Sequence, residues 1–133
     1  MNARTANQPV FLAAAALAGA VAVILGAFGS HALGDRLDDD LLRVYHIAVD
    51  YQFWHALALL GTGLWLQWRP HPALKLAGWA FLFGLVAFCG SLYVLAFSGI
   101  HLFGAITPIG GLAFIIGWLA MFRAALTLRK TAD

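Results

Sequence analysis

The chain has 133 residues, of which 62% are hydrophobic and only 11% charged, and its mean hydropathy is +0.84. Soluble domains carry roughly 25% charged residues, and so short a chain has too little interior to hide this much apolar surface from water; the solvent is lipid, with room for one domain and no separate soluble module. The net charge of +2 comes from basic residues scattered over loops and tails; with no basic cluster or stripe, a nucleic-acid partner is not expected.

Residues 1–9 form a polar tail carrying Arg4, and residues 10–27 are uninterrupted apolar sequence. A signal peptide is the competing reading, but its apolar core is about 7–15 residues long. A spanning helix needs about 20, so a retained first span is expected over residues 10–33. Ala15, Gly19, Ala22, Gly26 and Gly29 recur every three or four residues. They share one face, where small side chains let helices approach closely in lipid.

Residues 26–55 are chemically unlike the rest. They hold Asp35, Asp38, Asp39, Asp40 and Asp50, together with His31, His46 and His55. The three consecutive aspartates suit the start of the next helix, where carboxylates favour the positive end of the dipole. Their spacing lacks the ligand pattern of a calcium loop. The second span is expected over residues 44–68 and is the most polar, with Tyr45, His46, Asp50, Tyr51, Gln52 and His55. Trp65 and Trp68 suit a membrane interface, and Arg69-Pro70-His71-Pro72 turns the chain. A third span is expected over residues 74–97 and a fourth over 103–126, the latter containing Thr107-Pro108 and Gly110-Gly111. The lone Cys89 cannot form an intrachain disulfide and reads as a small buried hydrophobe.

With four spans, Arg4, Arg69, Lys75, Arg123, Arg129 and Lys130 fall on one side, and Arg36 and Arg43 on the other. Short loops rich in Lys and Arg stay cytoplasmic. The expectation is an all-α membrane protein in the cell (inner) membrane: four transmembrane helices in a compact bundle with both termini cytoplasmic.

That orientation gathers polar and backbone-special residues in the outer half. His31, Tyr51, Gln52, His55, Ser91, Tyr93 and Thr107 form the candidate polar cluster. His46 and Asp50, four residues apart, are expected to pair at the helix end. Tyr51, Gln52 and His55 lie on the other side of the second span. An isolated carboxylate deep in a span costs about 2.5–3.5 kcal/mol, which favours a partner for Asp50. Imidazole suits zinc, copper or haem iron, so His31 with His55 keeps a metal or haem reading open, although no metal ligand set is assigned. Ser91, His55 and Asp50 have the residue types of a catalytic triad but not its spacing. Nor do the glycine strings bear the Lys-Ser/Thr of a phosphate loop.

GAFGSHAL, YHIAVDYQFWHALAL, CGSLY, LFGAITPIGG and the F-x-x-GW string that follows resemble the domain-of-unknown-function 423 family, the group of YgdD-like bacterial membrane proteins and eukaryotic transmembrane protein 256. The resemblance covers residues 14–118. It implies a small four-span membrane protein and assigns no catalytic residues or cofactor. Three functions are therefore carried forward. One is a structural or accessory protein binding a lipid, a membrane-protein partner or a second copy through the outer-half cluster. Another is a small transporter or proton-linked carrier using His55, Asp50 and Tyr51. The last is metal or haem binding through His31 and His55.

Overall fold

A computed structural model describes residues 7–130, with side chains to residue 127. Arg4 and the side chains of Arg129 and Lys130, half of the cationic side in the orientation argument, lie outside that description. Among the described residues every regular element is helical: α1 (Asn7–Ala32), α2 (Asp39–Trp68), α3 (Pro72–Gly84), a π-helical turn (Leu85–Cys89), α4 (Gly90–Ser98), a 3₁₀ turn (His101–Ala105) and α5 (Thr107–Lys130).

The boundaries follow from local chemistry. Asp38 sits in extended backbone and its carboxylate accepts the Leu41 N–H at 2.9 Å. Asp39 and Asp40 then occupy the first turn. The carboxylates therefore start α2 five residues before the expected 44, since a cap satisfies an otherwise unpaired amide at a helix start. Pro70 ends α2, and α3 begins on Pro72 with His71 as its cap: Nδ1 accepts the Ala73 N–H at 3.1 Å. Gly99 closes α4 at φ 67°, a left-handed turn that glycine adopts without strain. Pro108 is the second residue of α5 and starts that helix rather than bending it.

Three helical stretches are long and apolar enough to cross a membrane: Asn7–Ala32, Pro72–Ser98 and His101–Thr127. The second of these joins α3, the π turn and α4 into one rod. The 30 residues of α2 are long enough, but its histidines, glutamines and aspartates lower its hydropathy.

Each rod packs chiefly on its neighbour in sequence. α1 lies on α2, α2 on α3 and α4, and α3 with the π turn on α5. Neighbours run antiparallel: Gln8 at the start of α1 donates to the Leu66 carbonyl near the end of α2, and Tyr45 early in α2 donates to the Leu25 carbonyl late in α1. The result is an up-and-down meander of four rods around one core drawn from all of them. One end carries Asp35, Asp38, Asp39 and Asp40, and is called the acidic end below. The other, with Arg69, Lys75 and Arg123, is the basic end.

Small residues set the helix spacing. Ala15, Ala22 and Gly29 of the anticipated row are buried, whereas Gly19 has open space around it. Elsewhere, large rings rest on glycines: Phe11 on Gly78, Phe114 on Gly84 and Phe81 on Gly117. The tightest approach to backbone is at Gly110, where a Cβ would lie 2.3 Å from the backbone nitrogen of Phe88 in the π turn. The core runs through Phe11, Leu59, Leu66, Leu74, Phe81 and Phe114.

Candidate functional site

Gln52 and His55 lie one turn apart on α2 and are both buried. The Gln52 amide is used at both ends. Its Nε2 donates to the Ala18 carbonyl of α1 at 2.8 Å, and its Oε1 accepts from the Tyr93 hydroxyl of α4 at 2.7 Å. One side chain therefore ties three helices together.

His55 faces the other way, toward α5. Its Nε2 lies 3.2 Å from Trp118 Nε1, and its Nδ1 lies 2.8 Å from the Tyr51 carbonyl oxygen. An indole N–H can only donate and a carbonyl can only accept. The geometry therefore fixes a neutral imidazole with its proton on Nδ1, and neither nitrogen is left for a metal or a substrate proton. The ring lies flat on Phe114, with centroids 3.5 Å apart and planes at 10°. Tyr51 extends the stack, its ring 4.6 Å from Phe88.

Ser91 and Thr107 form a third, separate contact. Their hydroxyls are 2.8 Å apart, and Ser91 donates to the Phe88 carbonyl at 2.9 Å. The chain Thr107 to Ser91 to Phe88 ties the start of α5 to the end of the π turn.

The anticipated single cluster thus resolves into three bonded groups: Gln52 with Tyr93, His55 with Trp118, and Ser91 with Thr107. His31 joins none of them. It is exposed in the last turn of α1, across α2 from the face where His55 meets α5. His46 and Asp50 are also exposed, and they form no ion pair; among the described residues the one ion pair is Arg43 with Asp40, at 2.9 Å. No set of three His, Cys, Asp or Glu side chains among the described residues is placed to hold a metal.

Sequence reasoning missed three partners. Trp118 belongs to the F-x-x-GW string, but an exposed indole on an apolar helix reads as lipid-facing. Gln8 and Thr62 are buried toward the basic end, where only apolar packing was expected. Their signal is the cost of an unpaired polar group in lipid: Gln8 bonds to Leu66, and Thr62 bonds back to the Ala58 carbonyl at 2.8 Å.

Between α2 and α5 the backbones stay apart, and a lateral groove of about 640 Å³ opens there. Its walls are Tyr51, Trp54, His55, Phe88, Phe114 and Trp118, with Pro108, Gly111, Leu112 and Ile115. No fully buried side-chain nitrogen or oxygen among the described residues lacks a hydrogen bond.

The profile of a family described as "Protein of unknown function (DUF423)" matches residues 25–111. The chain belongs to the DUF423 family. It is 45% identical to a UPF0382 membrane protein of Staphylococcus epidermidis over 88% of this chain and 95% of that one. Identity is 41% to the UPF0382 membrane protein YwdK of Bacillus subtilis, over 88% and 96% of the two chains. It is 35% to the UPF0382 inner membrane protein YgdD of Escherichia coli, over 87% and 88%. No solved structure matches the chain significantly. Together with the three apolar helices, these relatives make the chain a membrane protein of the DUF423 family. The family match takes in the Gln52–Tyr93 and Ser91–Thr107 contacts and stops short of Phe114 and Trp118, the two aromatic rings that α5 gives to the groove.

Proposed function

We propose that this protein is an accessory membrane protein that seats an apolar lipid chain in the groove between α2 and α5. One observation carries the reading. The groove is walled by rings and aliphatic side chains, and its deepest polar group, His55, already has both nitrogens bonded. Such a surface offers packing to a hydrocarbon chain, with the Tyr51 hydroxyl as the one titratable group on its walls besides His55. Pockets for apolar ligands have this composition.

The same reading takes the whole chain as one four-span domain with both termini cytoplasmic. α2 supports a fourth crossing by its length, about 45 Å at 1.5 Å per residue, and by its antiparallel packing between two apolar rods. The excess of Lys and Arg in the terminal segments and the 69–75 turn supports the orientation. A reporter fused at the C-terminus should be active only on the cytoplasmic side; periplasmic activity would reverse the topology.

For the groove, purified protein is reconstituted with a phospholipid carrying a photoactivatable acyl chain. Crosslinks should concentrate on the α2 and α5 residues that wall the groove, and Gly111→Leu should remove them by filling it. Equal labelling of the exposed Leu17 and Val23 on α1 would end the proposal.

A further inference from the structure

Two further cavities lie at the basic end, away from the groove. We propose that the junction of α3 and α5 binds the headgroup of an anionic phospholipid, with its phosphate held by Arg123, Lys75 and His71. Two cavities meet there. One, of about 300 Å³, is lined by His71, Pro72, Ala73 and Leu76 at the start of α3 and by Ala120 and Arg123 of α5. The other, of about 320 Å³, lies beside it and is lined by Pro70, His71, Pro72 and Lys75. His71 and Pro72 form the wall between them.

The donors point to an anion. The Nδ1 of His71 is occupied by the Ala73 N–H, so a neutral His71 presents an N–H donor at Nε2. Lys75 is half-buried, and a lysine so placed can lay its stem on apolar surface with its ammonium at the rim. Arg123 is exposed and forms no ion pair among the described residues. Every carboxylate among the described residues lies in the acidic half: Asp35, Asp38, Asp39, Asp40 and Asp50. Among the described residues, three donors thus border the two adjoining cavities with no carboxylate beside them.

Depth selects a lipid over a soluble anion. Trp68 is 80% exposed and lies 5.8 Å from the Arg69 guanidinium, the pairing that marks a headgroup layer. A cavity between spans that is basic at this depth meets phospholipid phosphates first. The proposal does not rest on the α2/α5 groove, so either can fail alone.

The test is native mass spectrometry of the full chain in neutral detergent with equal amounts of phosphatidylglycerol and phosphatidylcholine. Phosphatidylglycerol should be retained preferentially, and Arg123→Gln or Lys75→Gln should each lower that preference about fivefold, the worth of one cation near a membrane surface. Arg123→Lys should keep most of it. Arg36→Gln with Arg43→Gln, at the acidic end, should change nothing. A melting temperature in phosphatidylcholine alone establishes that each variant is folded. Equal retention of both lipids by the unaltered protein would overturn the site, as would an acidic-end variant that loses as much as Arg123→Gln. Competition by inorganic phosphate at millimolar concentration would reassign it to a soluble anion.

Discussion

Gln52 and His55 share a helix and a depth, yet the regions around them are built in opposite ways. On the Gln52 side, small residues let α1 approach: Ala15, Ala22 and Gly29 are buried, and Gly63 receives Leu12. At that range one amide bridges α1, α2 and α4. On the His55 side the contacts are rings. A stacked imidazole and phenyl hold α2 and α5 a ring's breadth apart, and the space beside them is the groove. Side-chain size at the interface thus decides whether a polar residue closes a gap or borders one.

The largest expected effect tests what fixes α5 at that distance. Gly110→Ala places a methyl 2.3 Å from the Phe88 nitrogen, against backbone that cannot rotate away. A loss of about 1–3 kcal/mol is expected, read as a lower melting temperature in detergent with Trp118 fluorescence shifted as its bond to His55 breaks. Unchanged stability would mean that rings alone set the spacing. Next comes Gln52→Leu, which removes two interhelical bonds. At about 0.6 kcal/mol each for bonds within membranes, roughly 1 kcal/mol should go, with little change in groove crosslinking. A smaller effect, about 0.6 kcal/mol, is expected for Trp118→Phe. Its sharper readout is nitrogen NMR of His55: the proton should reside on Nδ1, and the Nε2 resonance should move in the variant. A proton on Nε2 in the unaltered protein would refute the bonding described for the groove. No loss is expected for Asp50→Asn, because an exposed carboxylate without a partner is unfavourable in a span; a loss of stability would reveal a partner for that carboxylate.

Much of the helical arrangement was legible because lipid enforces it. Apolar length gave α1 and the rod from Pro72 to Ser98 to within a few residues, and the triple aspartate marked the start of α2. Helix phase separated His46 and Asp50 from Gln52 and His55, but it put the latter two on one face, where Gln52 turns to α1 and α4 and His55 to α5. It could not pair side chains across helices, because pairing depends on neighbours that periodicity does not name. Gln52 was paired with Tyr93 by the meander, and His55 with Trp118. The π turn was invisible for a related reason. It arises where Gly110 presses on Phe88, a contact between residues 22 apart that leaves no local signature in LVAFC.

The serial packing of the helices bears on how the protein is made. Each rod finds its main partner in the segment synthesised just before it, and nothing requires the last helix to return to the first. Chains dominated by such near-neighbour contacts assemble quickly, and segments leave the ribosome in order. The first hairpin, joined by the Tyr45–Leu25 and Gln8–Leu66 bonds, can form while residues 72–130 are still being translated. In that order α5 docks last, closing the wall of the aromatic groove.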